Sequence, residues 1–526
     1  MPSTLSRTRR RTAVGTARVA AALLGLSVSV SSWAQDAGAP ANPAPEYKVK
    51  PLDPQLCNDK RRKEKNEFLN PEKFDLAALE AYYRECLFAR LTQPDAISIN
   101  QAREELLIDI DTIERKSKGS SEVLGEFNKM LARQLREIIA KDNEGKTYHP
   151  SSRIVAAVLA ARLNRQPQTP QSGALPDPEG ARILIGLLVP TENDGMVATA
   201  LSHLPRHWSW PGMDERMMES AKTRFITSVQ AFLAAQKLAA RGQEEEDYLK
   251  ELMIENLTII ATGKGESAKQ ALPVLLSLIT PAIKNAKSES EWLVERSLWS
   301  LGQLTSTGLP PEEIKALERG SVQFLATSLD TWTKRCNQTT SAASGGYPGR
   351  GGPGGGGPGL GGAGAGGMMG GDDPGSAPGG GAGGPPGFGQ KEPKAKNPFD
   401  EQPKEVRNAR RILQQRLERI HYGLNGFGKK STATPSKGLF AWADDNQKAQ
   451  IAKILASIES LQGILNSDKM SSLDKVTSMT RRPIYDLQQA CTAITGDDTV
   501  ALVVPPPTDD SGTDEPSSGD GFGNEN

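Results

Sequence analysis

The spacing of apolar positions along most of this chain is helical. Between residues 52 and 340, apolar side chains recur at steps of three and four, as in the segments Asp75 to Leu91 and Glu122 to Ala140. The strict alternation that marks a half-buried strand is nearly absent. From Ile154 onward the apolar segments are rich in Ala and Leu and end at Pro, Gly or Asn. The pattern predicts an all-α domain over residues 52–340.

Turn and capping signals divide this domain into helical hairpins. Asp177-Pro178 supplies an N-cap residue followed by a proline suited to the first helical position, which predicts a helix start before Ile183. A turn at Asn193-Asp194-Gly195 then precedes a second apolar segment that reaches Leu204. Two helices joined by so short a turn form a hairpin.

A second predicted hairpin carries a family resemblance. Its first helix runs from Ala271 through an early proline to Pro281, and its second runs from Trp292 and ends in Leu301-Gly302-Gln303-Leu304. This pair resembles a HEAT-type repeat, and the resemblance extends over residues 150–340. It implies an α-solenoid-like array in which each hairpin stacks on its neighbours. No even repeat of about 40 to 47 residues runs through the sequence, so an irregular helical domain is the alternative.

A break in composition follows the helical domain. Residues 341–400 are rich in Gly, Pro and Ala, and this composition predicts a disordered linker. Residues 35–51 and the acidic residues 500–526 are predicted to be disordered tails. Between the linker and the last tail, three apolar stripes (Val406 to Tyr422, Asn446 to Leu465 and Ser471 to Cys491) predict a C-terminal helical bundle over residues 401–499.

The first 34 residues have the form of an export signal. Arg7 and the run Arg9 to Arg11 precede an apolar segment from Val19 to Val30, and Ser32-Trp33-Ala34 suits a signal peptidase. The apolar segment is shorter than the roughly 20 residues that span a bilayer as a helix. We expect cleavage after Ala34 and a periplasmic or extracellular mature protein with no transmembrane segment.

The charge balance argues against a general affinity for nucleic acid. The chain has 63 basic and 63 acidic side chains, and residues 1–34 hold five arginines and no acid. Their removal leaves 58 basic against 63 acidic side chains, a net charge of about −5. We therefore expect the partner to be another protein or a cell-envelope component, with no nucleic acid bound.

The four cysteines, Cys57, Cys86, Cys336 and Cys491, all lie in the predicted exported part. An even number in an oxidising compartment is typical of disulfides, and four cysteines allow three pairings. We prefer Cys57 with Cys86 and Cys336 with Cys491, because the second bond would clamp two domains across the linker. Buried thiols are the alternative.

Candidate catalytic and metal-binding chemistry is sparse. His203 and His207 have the spacing of two ligands on one helical face, but Pro205 interrupts that helix and no third ligand is evident. Asp109-Ile110-Asp111, the acidic run from Glu244 to Asp247 and the five cations between Lys60 and Lys65 are each interpreted as solvated faces. No metal or cofactor is expected.

One further segment approaches a phosphate-binding loop. Gly423 to Ser431 is rich in Gly and contains Lys429, but Lys430 stands where a phosphate loop needs Ser or Thr. It is interpreted as a flexible turn in which Gly423 ends a helix.

The tryptophans give the candidate partner contacts. Trp208 and Trp210 fall in a Pro-Gly loop, where aromatic side chains often contact partners. Trp292 and Trp299 lie seven residues apart on nearly one side of a helix and are predicted to pack between hairpins.

Together these features favour an exported, non-enzymatic scaffold or binding protein that presents a repeat surface to its partner. Two alternatives stay open. One is an extracytoplasmic enzyme whose site gathers distant residues such as His203 or His207 with carboxylates. The other is a structural envelope component that uses the Gly-rich linker as a spacer.

Overall fold

The computed structural model describes residues 47–117, 121–141, 145–166, 174–208, 215–235, 242–305, 308–344, 404–426, 437–467 and 473–496. The predicted signal at 1–34, most of the tail at 35–51, nearly all of the linker at 341–400 and the tail at 500–526 lie outside the described residues.

The described residues are helical almost throughout, so the all-α prediction is confirmed. Their helices are α1 Asp59–Phe68, α2 Leu76–Tyr82, α3 Phe88–Leu91, α4 Ala96–Lys116, α5 Ser121–Ile139, α6 Pro150–Arg162, α7 Pro178–Gly186, α8 Asp194–His203, α9 Pro205–Trp208, α10 Glu215–Ala234, α11 Gln243–Ala261, α12 Glu266–Lys284, α13 Glu291–Leu301, α14 Pro311–Ser344, α15 Lys404–Asn425, α16 Asp445–Leu465 and α17 Leu473–Thr495. A π-helical turn, Tyr83–Leu87, joins α2 to α3. One two-stranded antiparallel sheet pairs β1 Asn164–Gln166 with β2 Leu175–Pro176.

The predicted helix starts are found where the capping residues placed them. The Asp177 side chain accepts a hydrogen bond from the Glu179 amide, with Pro178 in the first turn of α7. Asn193 accepts in the same way from the Gly195 amide at the start of α8. Each cap satisfies an amide that the helix itself leaves without a partner.

Several predicted ends were wrong. Helix α12 does not end at Pro281 but runs on to Lys284. The proline removes one backbone hydrogen bond, and the packing of α12 against its neighbouring helices compensates for that loss. Helix α14 continues to Ser344, into the predicted linker, and Ser341 to Ser344 contain no glycine. Helix α15 does not end at Gly423 but runs on to Asn425, and Gly426 follows it with a φ of 75°. Residues 427–431 of the Gly-rich segment lie outside the described residues.

The chain forms two compact units whose boundaries differ from those that composition predicted. The first contains residues up to 324 and residues 418–452, and the second contains residues 325–417 and 453 onward. The predicted bundle at 401–499 therefore contributes its middle part to the first unit. Three contacts account for this: the Gly438 amide donates to the Leu304 carbonyl at 3.2 Å, the Trp442 indole donates to the Thr305 carbonyl, and Gly423 lies against Leu298.

Helices of the first unit form two rows. In one row α4 packs on α6, α6 on α8, α8 on α11 and α11 on α13; in the other, α5 packs on α7, α7 on α10 and α10 on α12. Helix α12 of the second row packs against both α11 and α13 of the first. This is an array of stacked helical hairpins.

Polar pairs fix the register between successive helices of a row. Thr258 donates to Ser300 at 2.8 Å, 42 residues apart, and Arg296 donates to Glu251, 45 residues apart. Both pairs advance in the same direction, so α11 and α13 run parallel. In the second row, the Ser267 hydroxyl of α12 donates to Glu219 of α10, 48 residues away.

The predicted N-terminal tail is held in place over its described residues. The Lys50 amide donates to the Thr92 hydroxyl at 3.0 Å, and the Lys48 amide donates to the Thr147 carbonyl at 2.9 Å. Residues 47–51 are thus part of the packed first unit and not a loose tail, since their backbone groups are paired with residues far along the chain.

The second unit contains helical segments from both sides of the predicted linker. Within it, the Gln414 amide of α15 donates to the Leu465 carbonyl at the end of α16, at 3.1 Å. Cys336 of α14 and Cys491 of α17 are both buried.

Candidate functional site

An exposed face on α11 and α13 is the clearest candidate for a binding site. We call it the outer aromatic face. It comprises Tyr248, Glu251 and Glu255 of α11 and Trp292, Arg296 and Trp299 of α13. Because α11 and α13 run parallel, Tyr248 and Trp292 lie at the same level, about one turn before the Glu251–Arg296 pair.

The packing of α13 places its tryptophans outward. Ser290 caps the helix by accepting from the Leu293 amide, and the buried stripe consists of leucine, valine and serine side chains, including Leu293, Val294 and Leu298, together with Glu295. Trp292 and Trp299 lie off that stripe. The prediction that both tryptophans pack between hairpins was wrong for Trp292, whose side chain is 60% exposed. The stripe formed by Leu293, Val294 and Leu298 is the sequence signal that predicts correctly which side of α13 is buried, and Trp292 lies off that side.

Two arginine side chains lie over the ring of Trp299. Arg296 lies 3.1 Å from Glu251 and 3.6 Å from Glu255, and its guanidinium is 5.3 Å from the centre of the Trp299 ring. The guanidinium of Arg419, on α15, is 5.7 Å from the same ring. Within the described part of the chain, no cation lies over the Trp292 ring, and this residue is 60% exposed.

The end of the face next to Trp292 is acidic. Glu244 and Glu245 are exposed in the first turn of α11, and Glu246 is paired with Lys250 at 2.6 Å. Burial, with the charges of Glu251 and Glu255, raises the pKa of Tyr248, so its phenol stays neutral at physiological pH.

The prediction for Trp208 was wrong. Trp208 ends the short helix α9 and is 6% exposed, its indole donates to Asn256 at 2.7 Å, and its ring packs on Phe225. A tryptophan whose donor is satisfied in the core joins helices and does not present a surface. Trp210 lies outside the described residues.

The two histidines do not form a metal site. Helix α8 ends at His203 and α9 begins at Pro205, so the two rings are not on one continuous helix. Burial, reinforced by Arg162 and Arg206, lowers the pKa of His203 to about 4, and burial with Arg206 and His203 lowers that of His207 to about 3. Both rings are therefore neutral at pH 7. Neither ring nitrogen of His207 has a hydrogen-bond partner in the described structure.

A polar network near these histidines joins helices of both rows. Asn164 donates to Glu114 at 2.7 Å and accepts from Arg206, whose other nitrogen donates to the Ala161 carbonyl at 2.6 Å. Asn128 donates to the Asn164 carbonyl at 2.8 Å. Burial raises the pKa of Glu114 to about 7. A carboxyl group with a raised pKa is one mark of an active site. Here, however, the polar groups around Glu114 are hydrogen-bonded to one another.

A second buried network was not predicted. The Lys65 ammonium lies 2.7 Å and 2.8 Å from the two Asp109 oxygens and 3.2 Å from Glu105, and the Tyr83 hydroxyl donates to Asp109 at 3.0 Å. Lys65 is 3% exposed and Asp109 2%. The interpretation of the Lys60–Lys65 and Asp109–Asp111 runs as solvated faces was therefore wrong for these two residues, since each neutralises the other in the core.

The cysteines divide into one bonded pair and two thiols. Cys57 and Cys86 form a disulfide with their Cα atoms 5.4 Å apart, which is one of the two preferred pairings. Cys336 and Cys491 are buried outside any disulfide, so the structure does not contain the expected clamp. Both belong to the second unit, so a bond between them would not have joined the two units. Burial raises the pKa of each thiol to about 12.

The described residues contain neither a candidate metal site nor a candidate membrane-spanning helix. No group of three or more His, Cys, Asp or Glu side chains there has the geometry of a metal site. Among the same residues, no helix combines the length and apolar character that a membrane span requires.

Comparison with known proteins assigns no relative. No protein-family model, no curated protein and no solved structure matches this chain.

Proposed function

We propose that this protein is an exported, non-enzymatic helical-repeat protein that binds a protein partner of the cell envelope through its outer aromatic face. The exposure of Trp292 is the observation that carries this proposal. Trp292 is 60% exposed on a helix whose leucine and valine side chains are buried, so it contributes little to the packing of that helix. Tryptophan and tyrosine dominate the energetic centres of protein interfaces.

The arrangement of the face supports a binding role. Parallel helices α11 and α13 belong to a stacked array, and such arrays present extended, rigid surfaces. The ion pairs of Arg296 with Glu251 and Glu255 hold the side chains between Tyr248 and Trp299 in place before a partner arrives. Preorganised side chains lose less conformational entropy on binding.

The enzymatic alternative has one supporting observation, the raised pKa of Glu114. Against it, the groups around Glu114 are engaged in holding helices together: Arg206 donates to a backbone carbonyl and to Asn164, and Asn164 donates to Glu114. These contacts are those of a structural network, and the binding function is therefore preferred.

Site-specific photo-crosslinking tests the proposed binding site. A benzoylphenylalanine introduced at Tyr248 in the secreted full chain is expected to give one discrete adduct with an envelope protein, and Trp292→Ala should abolish that adduct. The same photoprobe at Ile108, which is also 60% exposed but lies on α4, is the matched control. Identical adducts from both positions, or an adduct unchanged by Trp292→Ala, would contradict the proposal.

Export is tested separately. N-terminal sequencing of the secreted form should begin at Gln35, after the Ser32-Trp33-Ala34 triplet. A mature chain that still began at Met1 or Pro2 would overturn the export part of the proposal.

A further inference from the structure

The outer aromatic face already contains one aromatic ring occupied by guanidinium groups. Arg296 and Arg419 both lie over the Trp299 ring, at 5.3 Å and 5.7 Å from its centre. Two cations within about 6 Å of one indole are within the range of cation–π attraction. The Trp299 ring thus already has its cation–π partners within the chain.

Trp292 is a second tryptophan on this face, but no guanidinium group of the described chain lies over its ring. It lies on the same side of α13 as Trp299, seven residues earlier, which is about 10 Å at 1.5 Å per residue. It is 60% exposed, and among the described residues no cation lies over its ring. The indole face that would attract a cation is open.

The charges near Trp292 are mainly negative. Glu244 and Glu245 are exposed at the start of α11, and Glu251 and Glu255 follow along the same helix face. The cations on these helices are already engaged, Lys250 with Glu246 and Arg296 with Glu251 and Glu255. The face therefore has an excess of negative charge beside an open indole.

On the premise of the proposed binding function, we infer that the partner presents an arginine-bearing peptide segment. One guanidinium of that segment stacks on Trp292, as Arg296 and Arg419 do on Trp299, and neighbouring cations pair with Glu244 and Glu245. Arginine fits better than lysine, because a planar guanidinium stacks on an aromatic ring and is more weakly hydrated than an ammonium.

The test measures binding of a defined peptide to the secreted full chain. A fluorescently labelled dodecapeptide of alternating Gly and Arg is titrated by anisotropy, beside the same peptide with citrulline in place of every arginine. Citrulline keeps the shape of the arginine side chain and removes its charge. We expect the arginine peptide to bind at least tenfold more tightly than the citrulline peptide.

Variants then locate the binding site. Trp292→Ala should weaken binding of the arginine peptide by about 3- to 30-fold, and Trp292→Phe by less, since phenylalanine keeps an aromatic face. The double variant Glu244→Gln/Glu245→Gln should weaken binding further at low salt than at high salt. Ile108→Ala, equally exposed but distant on α4, is the matched control and should leave binding unchanged.

Four results would overturn the inference: no binding of the arginine peptide, equal binding of the citrulline peptide, insensitivity to Trp292→Ala, or equal sensitivity to Ile108→Ala. Circular dichroism of each variant establishes that it is folded. If the peptide fails but the photo-crosslink from Tyr248 still depends on Trp292, the partner's contact is not an arginine segment and the proposed binding function stands. If both fail, the binding site itself is misassigned.

Discussion

Substitutions at the buried pair of Lys65 and Asp109 test the packing of the N-terminal helices most directly. Either Lys65→Met or Asp109→Leu alone leaves one charge in a site where the two residues are 3% and 2% exposed. Breaking a buried pair in this way costs about 3–5 kcal/mol of unfolding free energy. The double variant removes both charges and should lie within about 1 kcal/mol of the native protein.

The effect of pH separates the two single variants. Burial raises the pKa of Asp109 to about 6 even with Lys65 beside it, and Lys65→Met should raise it further because the attraction that opposes burial is gone. An acid whose folded-state pKa is raised destabilises the fold as pH rises from the unfolded value of about 4 to the folded value. In the native protein this loss ends near pH 6, whereas in Lys65→Met it continues. The deficit of Lys65→Met therefore grows by about 1.4 kcal/mol per pH unit above pH 6 and is nearly constant below pH 6.

Urea unfolding followed by circular dichroism from pH 5 to pH 8 gives the free energies, and hydrogen exchange of α1 and α4 shows whether the loss is local. Lys60→Met, on the same helix but with a side chain 85% exposed, is the matched control and should change stability by less than about 0.5 kcal/mol. Additive losses in the double variant, or a Lys65→Met deficit that grew as pH fell, would refute the buried-pair account.

Three further predictions concern other parts of the fold. Replacing both Cys57 and Cys86 by Ala should lower the unfolding free energy by about 3–4 kcal/mol, from the chain entropy of a loop with a separation of 29 residues; reduction that left denaturation unchanged would contradict this. His207→Leu should stabilise the protein increasingly as pH falls below 6.5, by about 2 kcal/mol at pH 5. Burial lowers the pKa of His207 to about 3, so at pH 5 the imidazole takes up a proton in the unfolded chain but not in the fold, and the native protein loses stability that the leucine variant keeps. A gain that did not depend on pH would count against this prediction. Gly320→Ala should lower the unfolding free energy, measured by thermal unfolding, by about 3 kcal/mol or more, because its new β-carbon would clash with the Ile283 carbonyl oxygen of α12. Gly125→Ala is the control and should be neutral or stabilising, because nothing lies within 4 Å of its new β-carbon. Equal effects of the two substitutions would refute the close approach at Gly320.

Local signals in the sequence were sufficient for most helices. The stripe from Ile451 to Leu465 predicted a helix from Asn446 to Leu465, and the structure has Asp445–Leu465. Capping residues such as Asp177 act on amides two or three residues away, so their effect can be recognised without knowing the fold. Helix ends were less predictable where tertiary contacts decide them, as at Gly423, which packs against Leu298 and lies inside α15.

The buried networks could not be predicted in the same way. Lys65 and Asp109 are 44 residues apart, and nothing near either residue distinguishes it from the exposed charges beside it. Asp111, two residues from Asp109, is exposed. Whether a charge in a helix is solvated depends on which neighbour covers that face, and that is a property of the assembled array.

The regular register of the array and the irregularity of its sequence have one physical cause. The pairs that set the register differ between the two interfaces: a hydroxyl pair at Thr258 and Ser300 and an ion pair at Glu251 and Arg296 join α11 to α13, whereas a hydroxyl-to-carboxylate bond at Ser267 joins α12 to α10. Each interface needs to be complementary only to its own neighbour, so no residue has to recur at a fixed period. Trp292 differs from these residues because it is not part of an interface between helices of the described array. Packing requirements account for the buried side chains between the rows but not for Trp292, which is 60% exposed, and the proposed binding function gives that outward position a role.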